Sequence, residues 1–127
     1  MGKQENLSAN TRQPFNKRKL GAEKETEVCA YLQGKGYEIL ERNFYSRHGE
    51  IDLIARKEEY LVFIEVKYRS GTAFGTPEAA VTAAKQRHLR AAAEYYLYKN
   101  HLSFSQPMRF DVVGVLKDEI RITENAF

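Results

Sequence analysis

The stretch "FIEVKYRS", residues 63–70, sets a carboxylate at Glu65 and an ammonium at Lys67 inside an otherwise apolar run. Side chains alternate across a strand, so these two charges, two positions apart, share one face. Burying either charge without a partner costs several kcal/mol, and a core strand rarely keeps both without a use for them. Upstream, "GEIDLIA" places Asp52 between Ile51 and Leu53. Two carboxylates and an amine are what metal-assisted hydrolysis needs. The acids hold a hard divalent cation such as Mg²⁺ or Mn²⁺, the ion activates a water, and the ammonium offsets charge that develops on the reacting group. A structural ion pair at a strand end is the plainer reading of Glu65 and Lys67 taken alone.

Two further polar intrusions lie on helices. The apolar stripe of the first helix is Gly21, Ala22, Val28, Cys29 and Leu32, and Glu25 falls on it, three and four residues before Val28 and Cys29. Glu27 takes that place if the helix is rotated slightly. In the long second helix the stripe is Leu89, Ala92, Ala93 and Tyr96, and its upstream continuation meets Lys85 and Gln86. Capping, pairing at a helix edge or simple exposure would also account for each of these.

The elements that must position these groups follow from the pattern. Residues 1–18 lack apolar periodicity and read as a flexible basic arm, leaving residues 19–127 as a single domain. A helix over residues 21–33 ends at the "GKG" of Gly34 to Gly36. Strands follow over residues 37–46, 50–55 and 60–69, with the polar "RKEE" as a turn between the last two. A glycine-rich loop leads to a helix with Thr76 as candidate N-cap and a second start at Thr82, running to about Lys99. "MRFDVVGVL" and "EIRITENAF" close the chain as strands joined through "KDE". The order α-β-β-β-α-β-β predicts an α/β fold: an antiparallel meander, a helical crossover returning a parallel strand, and a mixed five-stranded sheet flanked by helices.

Hairpin geometry links the acids. An even turn centred on Lys57 and Glu58, or on Glu58 and Glu59, puts Asp52 on the face of Phe63, Glu65 and Lys67; the second register sets Asp52 directly opposite Glu65. Opposed carboxylates repel unless they share a cation.

Bulk composition is less informative. The net charge is +3, but the first 19 residues hold five cations against one anion, leaving 15 cations against 16 anions in the rest. Charge alone therefore points to no partner. A lone Cys29 forbids an internal disulfide and fits a reducing compartment. With no long apolar span and no apolar leader, a cytoplasmic protein away from membranes is expected. Zinc-type Cys and His spacing, a P-loop, a dinucleotide fingerprint and a Ser-His-Asp pattern are all missing.

The acid, the Glu-x-Lys on an adjoining strand, an inward helical Glu and a helical Lys-Gln together resemble the core of the PD-(D/E)XK nucleases, the restriction-endonuclease-like fold. More closely, "GEIDLIA", "FIEVKYRS", "KGYEILERNF", "KQRHL", "RFDVV" and the terminal "NAF" resemble the small bacterial YraN family, over nearly all of residues 20–127. This resemblance implies that Asp52 and Glu65 are the metal ligands, with the Val66 carbonyl beside them, and that Lys67 is the motif lysine. Glu25 matches the helical glutamate of Holliday-junction resolvase relatives, and Gln86 the helical glutamine of some members. Ile51 stands where the motif's proline would be. The implied activity is Mg²⁺- or Mn²⁺-dependent endonuclease cleavage of DNA, on branched or single-stranded substrates, giving 5′-phosphate and 3′-hydroxyl ends. The alternative is a nucleic-acid-binding protein that keeps the fold without cleaving.

Around the acids, Arg47, Arg69, Lys85, Gln86 and Arg87 are placed to meet a nucleic-acid backbone in a sequence-independent way, with His48 and Arg90 nearby. Asp111, in a core strand, reads as structural. A homodimer would suit junction cleavage, although no motif sets one.

Overall fold

A computed structural model describes the backbone of residues 12–127 and the side chains of residues 21–127 other than 77 and 78. Its elements are α1 (Arg12–Gly34), β1 (Glu38–Ser46), β2 (Gly49–Lys57), β3 (Tyr60–Arg69), a short α2 (Pro77–Ala80), α3 (Ala83–Lys99), β4 (Met108–Leu116) and β5 (Glu119–Thr123). α1 begins at Arg12 rather than at Gly21, so part of the expected arm is helical; residues 1–11 lie outside the described residues. Its far end is closed as expected by glycine: Gly36 takes φ 95°, and the Tyr37 N–H donates to Leu32 O at 3.0 Å.

The five strands form one sheet in the order β1-β2-β3-β4-β5. β1, β2 and β3 pair antiparallel as a meander, β3 and β4 pair parallel across the α3 crossover, and β5 returns antiparallel to β4. The mixed α/β fold matches the order expected from the sequence. Both helix starts in the intervening loop are used. Thr76 Oγ1 accepts from the Ala79 N–H at 3.1 Å to open α2, and Thr82 Oγ1 accepts from the Lys85 N–H at 3.1 Å to open α3.

Each face of the sheet buries one helix. Leu89, Ala92, Ala93, Tyr96 and Leu97 of α3 pack with Phe44, Ile51, Ile54, Leu61 and Phe63. On the opposite face Val28, Cys29 and Leu32 of α1 pack with Leu53, Ala55, Val62, Ile64 and Val113. Strand β3 contributes to both clusters, which is why its sequence is apolar on both faces until Glu65. Burial of each large side chain contributes about 1.5–3 kcal/mol. Among the described residues no helix is long and apolar enough to cross a membrane.

Asp111 is a buried acid with no exposure at all. It accepts from the Tyr37 hydroxyl at 2.7 Å, from Arg109 Nε and Nη2 at 2.9 Å each, and from the Asn125 N–H at 2.9 Å. It thereby ties the chain before β1 to β4 and to the segment after β5, a structural task.

Candidate active site at the kinked hairpin

The β2–β3 turn is Glu58–Glu59, with Lys57 paired to Tyr60 and Leu53 to Ile64. This is the register in which Asp52 comes opposite Glu65. The backbone ladder stops there. Asp52 makes no register pair with β3, and its β1 counterpart Asn43 is skipped between the pairs Arg42↔Leu53 and Phe44↔Ile51. Asn43 sits at φ 56°, a left-handed conformation that asparagine tolerates better than most residues. Both strands turn here. Leu53 faces α1 while Ile51, two residues earlier, joins the α3 core, which strict alternation would forbid.

The side chain of Asp52 fills the gap in the ladder: its Oδ2 accepts from the Val66 N–H at 2.7 Å. Burial pushes its carboxyl up to about 6; the Val66 hydrogen bond opposes that rise and the nearby Glu65 carboxylate adds to it. Glu65 itself is 5% exposed. Its Oε2 lies 3.7 Å from Lys67 Nζ and 3.7 Å from Lys85 Nζ. Lys67 shares the strand face of Glu65, and Lys85 reaches across from the first turn of α3, so the predicted "upstream continuation" of the α3 stripe does arrive at the carboxylate.

Gln86 turns elsewhere. Its Nε2 donates to Val81 O at 3.3 Å, back into the loop before α3. Glu25 also stands apart from the pair. Its Oε1 meets Arg42 Nη2 at 2.9 Å, and with the Asn43 amide oriented to satisfy its neighbours, the nitrogen donates to Glu25 Oε2 at 3.2 Å and Glu50 Oε2 at 3.3 Å. The two acidic groups nevertheless share surroundings, because both Glu25 and Asp52 add to the burial that holds the Tyr68 phenol up at about 12. Arg42, Asn43 and Glu50 were not singled out from sequence; the "RNF" and "GE" that carry them gave no periodic signal.

Of the remaining cations, Arg47 lies exposed in the β1–β2 turn and Arg87 is exposed on α3. Arg69, on the same strand face as Glu65 and Lys67, lines a cleft over β3, β4 and β5 with Lys67, Thr76 and Arg121. Arg121 gave no sequence signal, since only the β4–β5 register brings it there.

Asp52 and Glu65 offer hard oxygen donors, and a cation there would favour the ionised form of Asp52 that burial disfavours. Among the described residues no three His, Cys, Asp or Glu side chains come together as a metal-holding group. A two-carboxylate donor set of this kind fits Mg²⁺, which keeps several waters and takes further ligands from a bound phosphate.

Fold and site define a small α/β protein with two acids and two lysines gathered at a kinked hairpin. The chain belongs to the uncharacterised protein family UPF0102 (YraN), whose model matches residues 24–115. It is 54% identical over 113 residues to a UPF0102 protein of Lachnoclostridium phytofermentans, covering 89% of this chain and 96% of that one. A UPF0102 protein of Syntrophomonas wolfei is 46% identical over 114 residues, covering 87% and 98%. One from Nitrosococcus oceani is 43% identical over 106 residues, covering 84% and 86%.

Proposed function

We propose that the chain is a metal-dependent nuclease of the PD-(D/E)XK type, hydrolysing phosphodiester bonds of nucleic acid, DNA first among them, in branched or single-stranded substrates. One observation carries the reading: the Asp52 and Glu65 carboxylates are brought together at a break in the β2–β3 ladder with the Lys67 ammonium 3.7 Å from Glu65. Asp52 and Glu65 are the residues that hold Mg²⁺ or Mn²⁺. When bound, the ion supplies a water of lowered pKa and a Lewis acid for a phosphate oxygen. Lys67 positions the attacking water and offsets the charge gathering on the phosphoryl oxygens. Lys85 compensates Glu65 from the helix side. Glu25, fixed by Arg42 and Asn43, adds negative charge to the mouth of the site and orders solvent there. Arg47, Arg69 and Arg87 flank the site as contacts to the nucleic-acid backbone.

A second reading has its own observation. Lys67 and Lys85 both stand on Glu65, so that carboxylate is charge-compensated without any metal. On this reading the protein is a non-catalytic nucleic-acid-binding member of the fold. A panel of duplex, flap, single-stranded and four-way DNA, with single-stranded RNA beside it, separates the two. Cleavage with Mg²⁺ or Mn²⁺ that stops in EDTA and in Asp52→Asn supports the nuclease. Binding with no product under any of these metals supports the second reading.

A further inference from the structure

Beyond the carboxylates the same sheet face continues into a cleft. Its floor is set by register: Lys67 pairs with Gly114, and Gly114 with Arg121, so one row crosses β3, β4 and β5 with a bare position in the middle. Glu65 begins the neighbouring row, which ends at Thr123 by way of Val112. The space above is about 130 Å³, well beyond the roughly 10–15 Å³ that a single water needs.

Its chemistry is that of an anion receptor. Lys67, Arg69 and Arg121 line it together with the hydroxyl-bearing Thr76 and Thr123. Arg121 is held by stacking, with its Cζ 4.2 Å from the centre of the Phe74 ring. Arg69 packs against Gly75, where an added Cβ would lie 3.5 Å from Nη2. The Arg69 Nε is enclosed without a hydrogen-bond partner, and among the described residues neither Arg69 nor Arg121 forms an ion pair. Guanidinium groups that, among the described residues, meet an aromatic ring and a glycine rather than acids are prepared for an anion from outside.

We infer that this cleft is a phosphate subsite, taking a phosphate group of the bound nucleic-acid strand beside the one at Asp52 and Glu65. The inference rests on the nucleic-acid reading of the carboxylate pair and names Arg121 and Arg69 as the groups that hold the strand. Lys67 belongs to both places, facing Glu65 on one side and the cleft on the other.

The test is binding, in EDTA, of a 3′-fluorescein-labelled single-stranded DNA to the full chain and to Arg121→Gln, by anisotropy across a salt series. One arm uses a 5′-phosphorylated strand and the other a 5′-hydroxyl strand. The glutamine variant is expected to bind about five- to tenfold more weakly, with the slope of log affinity against log salt smaller by about 0.7, the value of one phosphate contact on a single strand. Arg121→Lys should recover the slope, and carries the comparison if the glutamine variant melts early. Equal losses in both arms identify an internal phosphodiester; a loss confined to the phosphorylated arm identifies a terminal phosphate. An unchanged slope in both arms, or no binding by the parent chain, overturns the subsite. Because no metal is present, a chain that never cleaves DNA can still pass this test, so failure of the nuclease reading is scored separately.

Discussion

The Val66 N–H donates not to a backbone carbonyl of β2 but to the Asp52 carboxylate, at 2.7 Å. The hairpin thus trades one rung of its ladder for an acid held rigidly beside Glu65. The bond is short and charge-assisted, so it fixes the carboxylate before any ligand arrives.

Asp52→Asn should abolish cleavage while making the metal-free protein more stable at neutral pH. In the fold the Asp52 carboxyl titrates at about 6, above its ordinary value of 3.8. The folded state therefore favours the protonated acid. That contribution is fully present below about pH 4 and is lost as pH rises through about 6. Asparagine stays neutral throughout, so urea unfolding in EDTA should show the variant ahead by on the order of 2 kcal/mol at pH 7.5, with the gap closing toward pH 4.5. A gap that does not change with pH would contradict the assignment.

Protons and metal should compete for the same oxygens. Mn²⁺ titrated calorimetrically into the parent chain is expected to bind about tenfold more weakly at pH 5 than at pH 7.5. Glu65→Gln should remove the binding at both. Equal affinities at the two pH values would place the ion elsewhere.

The two lysines on Glu65 should separate. Lys67→Ala is expected to lower the cleavage rate about 10²- to 10⁴-fold while DNA binding in EDTA falls far less, as for a group that acts on the reacting water. Lys85→Ala, which removes a compensating charge from the helix side, should cost less than about tenfold in rate. Rates and binding constants measured on the same preparations decide this, and equal losses from both variants would remove the special role of Lys67.

Asp111→Ala should damage the fold rather than the chemistry. It leaves Arg109, whose side chain is 10% exposed, without its bidentate partner, and frees the Tyr37 hydroxyl and the Asn125 N–H. Loss of one member of such a buried pair costs about 3–5 kcal/mol, read as a shift in the urea midpoint. The fraction that remains folded should keep its full activity per molecule.

The meeting of Asp52 and Glu65 was legible because it needs only two local facts, alternation along each strand and an even turn at Glu58–Glu59. What alternation cannot reveal is its own failure. Asn43 adopts a left-handed backbone opposite Asp52, and the side chain that replaces the lost ladder rung is not written in any period. Glu25 was legible as an inward acid, but its partners Arg42 and Asn43 depend on how α1 crosses β1. Arg121 was hidden for the same reason, since its place depends on a pairing of β5 with β4 and of β4 with β3. The early start of α1 at Arg12 carries no apolar stripe to announce it. Polar, basic sequence can be helical without showing periodicity.

Gly114 occupies the middle of the row from Lys67 to Arg121, and a methyl group built there would come within 3.2 Å of the Phe74 ring. Even that methyl requires the ring on which the Arg121 guanidinium stacks to give by a few tenths of an ångström. A bulky side chain at this point would leave the acidic pair intact yet disturb the shelf alongside, so this one position separates the fate of the two halves of the surface.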